Sequence, residues 1–142
     1  MKEKRLSSLT RAIDLNYPTN RAITIIAFFC FFGASGFDFI LRHDFFSALE
    51  YGFRVGISIF LTWAFARELD PDKELSAFFA AFLGFIGLLF FPLPFLTVLL
   101  LELLLMRLIN RSTGLPSKTS DSLILLLLSS WISFQGLWGF GL

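Results

Sequence analysis

Six charged side chains fall within eight residues: Arg67, Glu68, Asp70, Asp72, Lys73 and Glu74. Asp70 and Asp72, on either side of Pro71, have the spacing of carboxylates that hold Mg²⁺ against a phosphate. Glu68, Asp70 and Asp72 are therefore the catalytic candidates. Asp70 and Asp72 are the metal ligands on this reading, and Mg²⁺ is the implied cofactor. A second polar stretch, residues 107–121, supplies the opposite charge. Arg107, Arg111 and Lys118, with Arg67, are the groups that would hold a phosphate-bearing or lipid substrate. This is not a P-loop, because the stretch from Gly114 to Lys118 lacks the second glycine and the preceding strand. A structural reading competes at each place. Pro71 can open a helix, with Asp70 as its N-cap and Asp72 and Glu74 complementing its dipole. A basic loop beside lipid headgroups needs no substrate to account for it.

A third polar set lies inside apolar sequence. Glu50, Arg54, Ser58 and Thr62 recur every four residues and form one stripe on a helix. Glu102 sits among leucines with no local partner. Ionisable groups within a membrane span are costly unless paired or wet, which makes them functional candidates. Two pairings follow. Arg54 can pair with Glu50 one turn away and extend its guanidinium outward. Alternatively it meets Glu102 across helices, with Ser58 and Thr62 as further partners. The second arrangement suits a proton- or ion-coupled carrier, and equally a structural pair that fixes helix register. Asp38 and Arg42 are also spaced to pair. His43 beside Asp44 is read as a solvated loop residue, since one histidine among carboxylates makes a poor metal site. The single Cys30 leaves no internal disulfide and no cysteine-based zinc site.

The elements that position these groups follow from composition. Only 16% of the 142 residues are charged, against about 25% in a soluble domain. The charges cluster between long uncharged runs rich in Phe. A membrane-spanning helix needs roughly 20 apolar residues. Spans are expected at about 22–41, 48–66, 75–91, 93–109 and 123–140. The expected fold is all-α: a polytopic integral membrane bundle of about five short helices in a single domain, 22–142. A basic cytoplasmic or interfacial segment, 1–21, precedes it. Leu6, Leu9, Ile13 and Tyr17 have helical spacing, which predicts an amphipathic interfacial helix ended by Pro18. A disordered basic tail and a cleaved signal peptide are the alternatives.

Local signals refine the boundaries. Thr19 or Asn20 is expected to cap the first span and Ser120 or Asp121 the fifth, with Gly114 ending the fourth. Gly33 and Gly36, and likewise Gly52 and Gly56, are expected to allow close helix contacts. One helix over residues 75–109 would be about 52 Å long, against a hydrocarbon core of about 30 Å. Pro92 and Pro94 therefore mark a turn between two shorter spans. Trp138 suits the far interface.

Orientation follows from charge. With the N-terminus cytoplasmic and the C-terminus on the outer side, ten of the twelve Lys and Arg residues lie in cytoplasmic segments. The loops at 67–74 and 107–121 then share a compartment and are expected to form one site.

Three functions fit this pattern. The favoured one is an interaction or accessory membrane protein, working in the lipid bilayer as a homo-oligomer or complex subunit. The second is a cytoplasmic-face enzyme using a divalent metal on a phosphate-bearing or lipid substrate. The third is a proton- or ion-coupled carrier built on Arg54 and Glu102. A net charge of +1 argues against a nucleic-acid partner.

Overall fold

The computed structural model describes residues 13–110 and 118–136, and among these every regular element is an α-helix. The order is α1 (Pro18–Arg42), α2 (Phe45–Leu69), α3 (Glu74–Phe90), α4 (Leu96–Asn110) and α5 (Thr119–Phe134). The described residues divide into two compact units, one of Ile13–Leu96 and one beginning at Thr97.

Pro18 opens α1 instead of ending an earlier helix. Its fixed φ suits the first helical position, where no N–H partner is needed. The predicted caps Thr19 and Asn20 lie inside the helix, and Tyr17 stands at the N-cap without a side-chain capping bond. Asn20 Nδ2 instead donates to the Asp14 carbonyl at 2.9 Å. Residues 13–16 are not helical, so the predicted interfacial helix does not reach Tyr17. Residues 1–12 of that segment lie outside the described residues.

α1 ends where His43 takes a left-handed backbone, φ 56°, and donates its N–H to Phe39 O at 2.9 Å. Asp44 follows at once as the N-cap of α2, accepting from Phe46 N–H at 3.2 Å and from the Ser47 hydroxyl. These bonds, the Ser47 hydroxyl foremost, hold the Asp44 carboxyl below its ordinary value of 3.8. The cap therefore contributes fully above the unfolded pKa and is lost as pH falls through the lower folded value. An acid melting series should show this: below pH 3.8 the wild type loses melting temperature more steeply than Asp44→Asn.

The chain departs from expectation at the acidic loop. α2 runs on to Leu69, and Asp70 caps its C-terminus with an N–H bond to Ala66 O at 3.0 Å. Asp70 is thus not the N-cap of α3, and Pro71 sits in a turn instead of opening a helix. Lys73 precedes α3, and its carbonyl accepts from both the N–H (3.2 Å) and the hydroxyl (2.7 Å) of Ser76. Glu74 does lie in the first turn of α3, where its charge complements the helix dipole.

Phe91 is extended, as a residue before proline must be, and the chain is non-helical through residue 95. The two prolines thus separate α3 from α4. α5 is shorter than expected, 16 residues, and ends just before Gly136 at φ 93°. Its N-cap is Lys118, not Ser120 or Asp121. Asp121, fully buried, reaches back to accept from Lys118 N–H at 2.8 Å. Gly114 and Trp138 lie outside the described residues.

Glycine fixes the packing of the first unit. A Cβ placed on Gly52 would strike the Ser35 hydroxyl and come within 2.5 Å of Phe31 O. One on Gly56 would lie 2.9 Å from Ala27 O. Moving one turn along α2 moves the contact about one turn back along α1, so the two helices run antiparallel in close contact. Gly33 and Gly36 take no part: a Cβ on either meets nothing within 4 Å, which corrects the expectation of a contact there. α3 returns along the second half of α2. Gly84 accommodates Thr62, and the Phe78 ring lies 6.3 Å from that of Trp63. In the second unit, Leu101 of α4 clusters with Leu125 and Ile132 of α5.

α1 is long and apolar enough to cross a membrane, with a mean hydropathy of 2.0, and it alone among the described helices meets that standard. α2 is as long, but Glu50, Arg54, Arg67 and Glu68 lie along it. α3 and α5 are apolar but have 17 and 16 residues.

Candidate functional site

The acidic loop is tied to the start of α1. Tyr17 Oη donates to Glu74 Oε1 at 2.6 Å. Arg67 Nη1 lies 3.7 Å from the same carboxylate oxygen and donates to Pro71 O at 3.4 Å. One carboxylate thus joins the ends of three helices. Asp70 Oδ2 lies 3.9 Å from Lys73 Nζ, while Asp72 is exposed. Glu68 is buried and engaged in a further interaction. Among the described residues no three His, Cys, Asp or Glu side chains converge as a metal site. The catalytic candidates therefore separate: Glu68 is held inside the unit, Asp70 is turned to a lysine, and Asp72 faces outward.

The polar stripe of α2 divides as well. Ser58 is 2% exposed, and its hydroxyl has no partner among the described residues. Thr62 donates to Ser58 O at 2.8 Å, an ordinary bond within the helix. Arg54 is half-buried and Glu50 exposed, and the two form no ion pair, so the expected pairing one turn apart is not made. In the second unit, Glu102 is half-buried on α4. Arg107 is half-buried and engaged, and Lys118 is half-buried at the start of α5. Arg111 lies outside the described residues.

Two features go beyond what the sequence singled out. The first is the burial of Asp38. Only 4% of the residue is exposed, at the α1–α2 contact. Its Oδ1 lies 3.0 Å from Arg42 Nε, as the spacing predicts, but Oδ2 is buried without a partner, as is the hydroxyl of Ser35 one turn earlier. The available signal was the face shared by Ala27, Phe31, Ser35 and Asp38, which continues the contact row of α1. The second is a groove of about 360 Å³ between α1 and α2. Phe28 and Phe31 wall it on one side and Phe53, Ile57 and Phe60 on the other, with Thr24 and Ile13 at one end.

No protein-family model, no curated protein and no solved structure matches this chain.

Proposed function

We propose that this is a small multi-pass membrane protein that acts through helix association, as an accessory protein or complex subunit. The observation that carries the reading is α1. Its most apolar window is only 17% buried, and Phe28, Phe29, Phe32, Phe37 and Ile40 are all exposed. A helix that is apolar on every side requires apolar surroundings on every side. The core helix of a soluble domain obtains them from its own chain, and α1 does not. α3 adds exposed Phe79, Phe82, Leu89 and Phe90 to the same demand.

The polar groups point the same way. Asp44, Asp70, Asp121 and Glu74 are engaged in caps, short-range pairs and the Tyr17 bond. Metal-dependent hydrolysis draws no support from such an arrangement. The Tyr17–Glu74 bond puts the start of α1 beside the α2–α3 turn, in keeping with a cytoplasmic N-terminus and a cytoplasmic acidic loop.

The test is topological. The protein should remain in the membrane pellet after alkaline carbonate extraction. Reporters inserted at Asp72 and in the loop at residues 111–117 should report the cytoplasm, and one fused after Leu142 the opposite side. Release by carbonate ends the membrane reading. Reporters at Asp72 and Leu142 on the same side end the five-span topology.

A further inference from the structure

We propose that the α1–α2 groove is a binding site for one phospholipid whose headgroup carries both a phosphate and a primary ammonium. The proposal rests on the membrane reading above. The groove walls are aromatic and aliphatic: Phe28, Phe31, Phe53, Ile57 and Phe60. Gly56 forms part of the floor, where a side chain would obstruct both the groove and the helix contact. From Thr24 to Phe31 it follows two turns of α1, about 10 Å along the axis. That shape and lining suit an alkyl chain.

Beyond its Thr24 end the apolar groove gives way to the polar start of α1, and this selects the occupant. Arg21 lies on the Thr24–Phe28–Phe31 stripe of α1, about one turn nearer the helix start. It is exposed and forms no ion pair among the described residues. A guanidinium there faces the level at which a lipid phosphate sits, and it is well suited to bind one. Ile13, at the same end, is followed by Asp14. The Asp14 backbone is fastened to Asn20, next to Arg21, and its Oδ1 accepts from Asn16 N–H at 2.9 Å. The chain just beyond the Thr24 end therefore offers one positive and one negative group to a headgroup that projects from the groove. A purely anionic headgroup satisfies only the first. Phosphatidylethanolamine offers its phosphate to Arg21 and its ammonium to Asp14.

Trp63 reports occupancy. It is buried, and its ring lies 5.9 Å from that of Phe60 in the groove wall. The experiment uses the full chain with Trp131→Phe and Trp138→Phe, in dodecyl maltoside micelles, titrated with phospholipids brominated on the acyl chain. Brominated phosphatidylethanolamine should quench Trp63 saturably, at concentrations at least fivefold lower than the phosphatidylcholine or phosphatidylglycerol analogues. Arg21→Gln should weaken phosphatidylethanolamine at least fivefold, and Asp14→Asn should bring phosphatidylglycerol to parity with it. Ile57→Phe, or Thr24→Leu if the first fails to fold, should remove the saturable component for every lipid.

Equal quenching by all three lipids, unchanged by the filling substitutions, describes ordinary boundary lipid and overturns the proposal. Absence of saturable quenching together with a dimer that Ile57→Phe dissociates means that a second copy fills the groove, and also overturns it. The membrane reading fails separately, by carbonate release.

Discussion

Gly52→Val separates α1 from α2. A Cβ alone at this position falls on the Ser35 hydroxyl, 2.5 Å from Phe31 O and 2.9 Å from Ser35 N. Ser35 can turn its hydroxyl away, but two of the three obstructing atoms are backbone and cannot move unless the helices part. Overpacking of this kind costs about 1–3 kcal/mol even where side chains can adjust. Here the contact extends one turn further to Gly56, so the cost belongs at or above the top of that range. The controls make the result specific. Gly33→Ala, Gly36→Ala and Gly87→Ala each add a methyl group that meets nothing within 4 Å. They should be neutral, or stabilising by up to about 1 kcal/mol through helix propensity. Melting curves in one detergent distinguish the two sets. Equal behaviour of Gly52→Val and Gly33→Ala would show that the α1–α2 contact is not the one described.

The second large effect has opposite signs at the two ends of one ion pair. Asp38 is buried, with one oxygen on Arg42 and the other unpartnered, whereas the Arg42 side chain is 66% exposed. Arg42→Gln strands a buried carboxylate. Stranding a buried charge costs about 3–5 kcal/mol, and the lower end applies because the arginine is already largely solvated. Asp38→Leu removes the charge and its unmet oxygen together, leaving only an exposed arginine. It should be neutral or stabilising. With Asp38→Leu in place, Arg42→Gln should cost almost nothing, and a double-mutant cycle in thermal unfolding reads this directly. If Asp38→Leu proves as damaging as Arg42→Gln, the carboxylate has another essential partner.

The elements were legible where local chemistry determines them. Pro92 and Pro94 interrupt the long apolar run at the predicted place, and Gly52 and Gly56 mark the contact face of α2. Asp38 and Arg42 pair at the predicted spacing. Legibility failed where two local signals compete. At Pro18 and Pro71 the same residue type can end a helix, open one or sit in a turn, and the choice depends on neighbours distant in sequence. Tyr17 meets Glu74 across 57 positions, and no spacing rule anticipates that. The burial of Asp38 was not legible, because a charge near a helix end looks solvated until the helix facing it is known. The candidate site was the least legible part. Charge clustering brought out Arg67–Glu74, where Tyr17, Arg67 and Glu74 meet, but the chemistry of Asp70 and Asp72 depends on where each carboxylate points.

The connection between α1 and α2 is only two residues long, His43 and Asp44. Loop-closure entropy is therefore near its minimum. Every contact that seats Gly52 and Gly56 on α1 is made between stretches that leave the ribosome close together. Such a hairpin has low contact order, which favours its early formation. The expected order of assembly is vectorial: the antiparallel pair first, then α3 through Thr62 and Trp63. A polar error early in α2 therefore acts at biogenesis, before the rest of the chain exists to compensate for it.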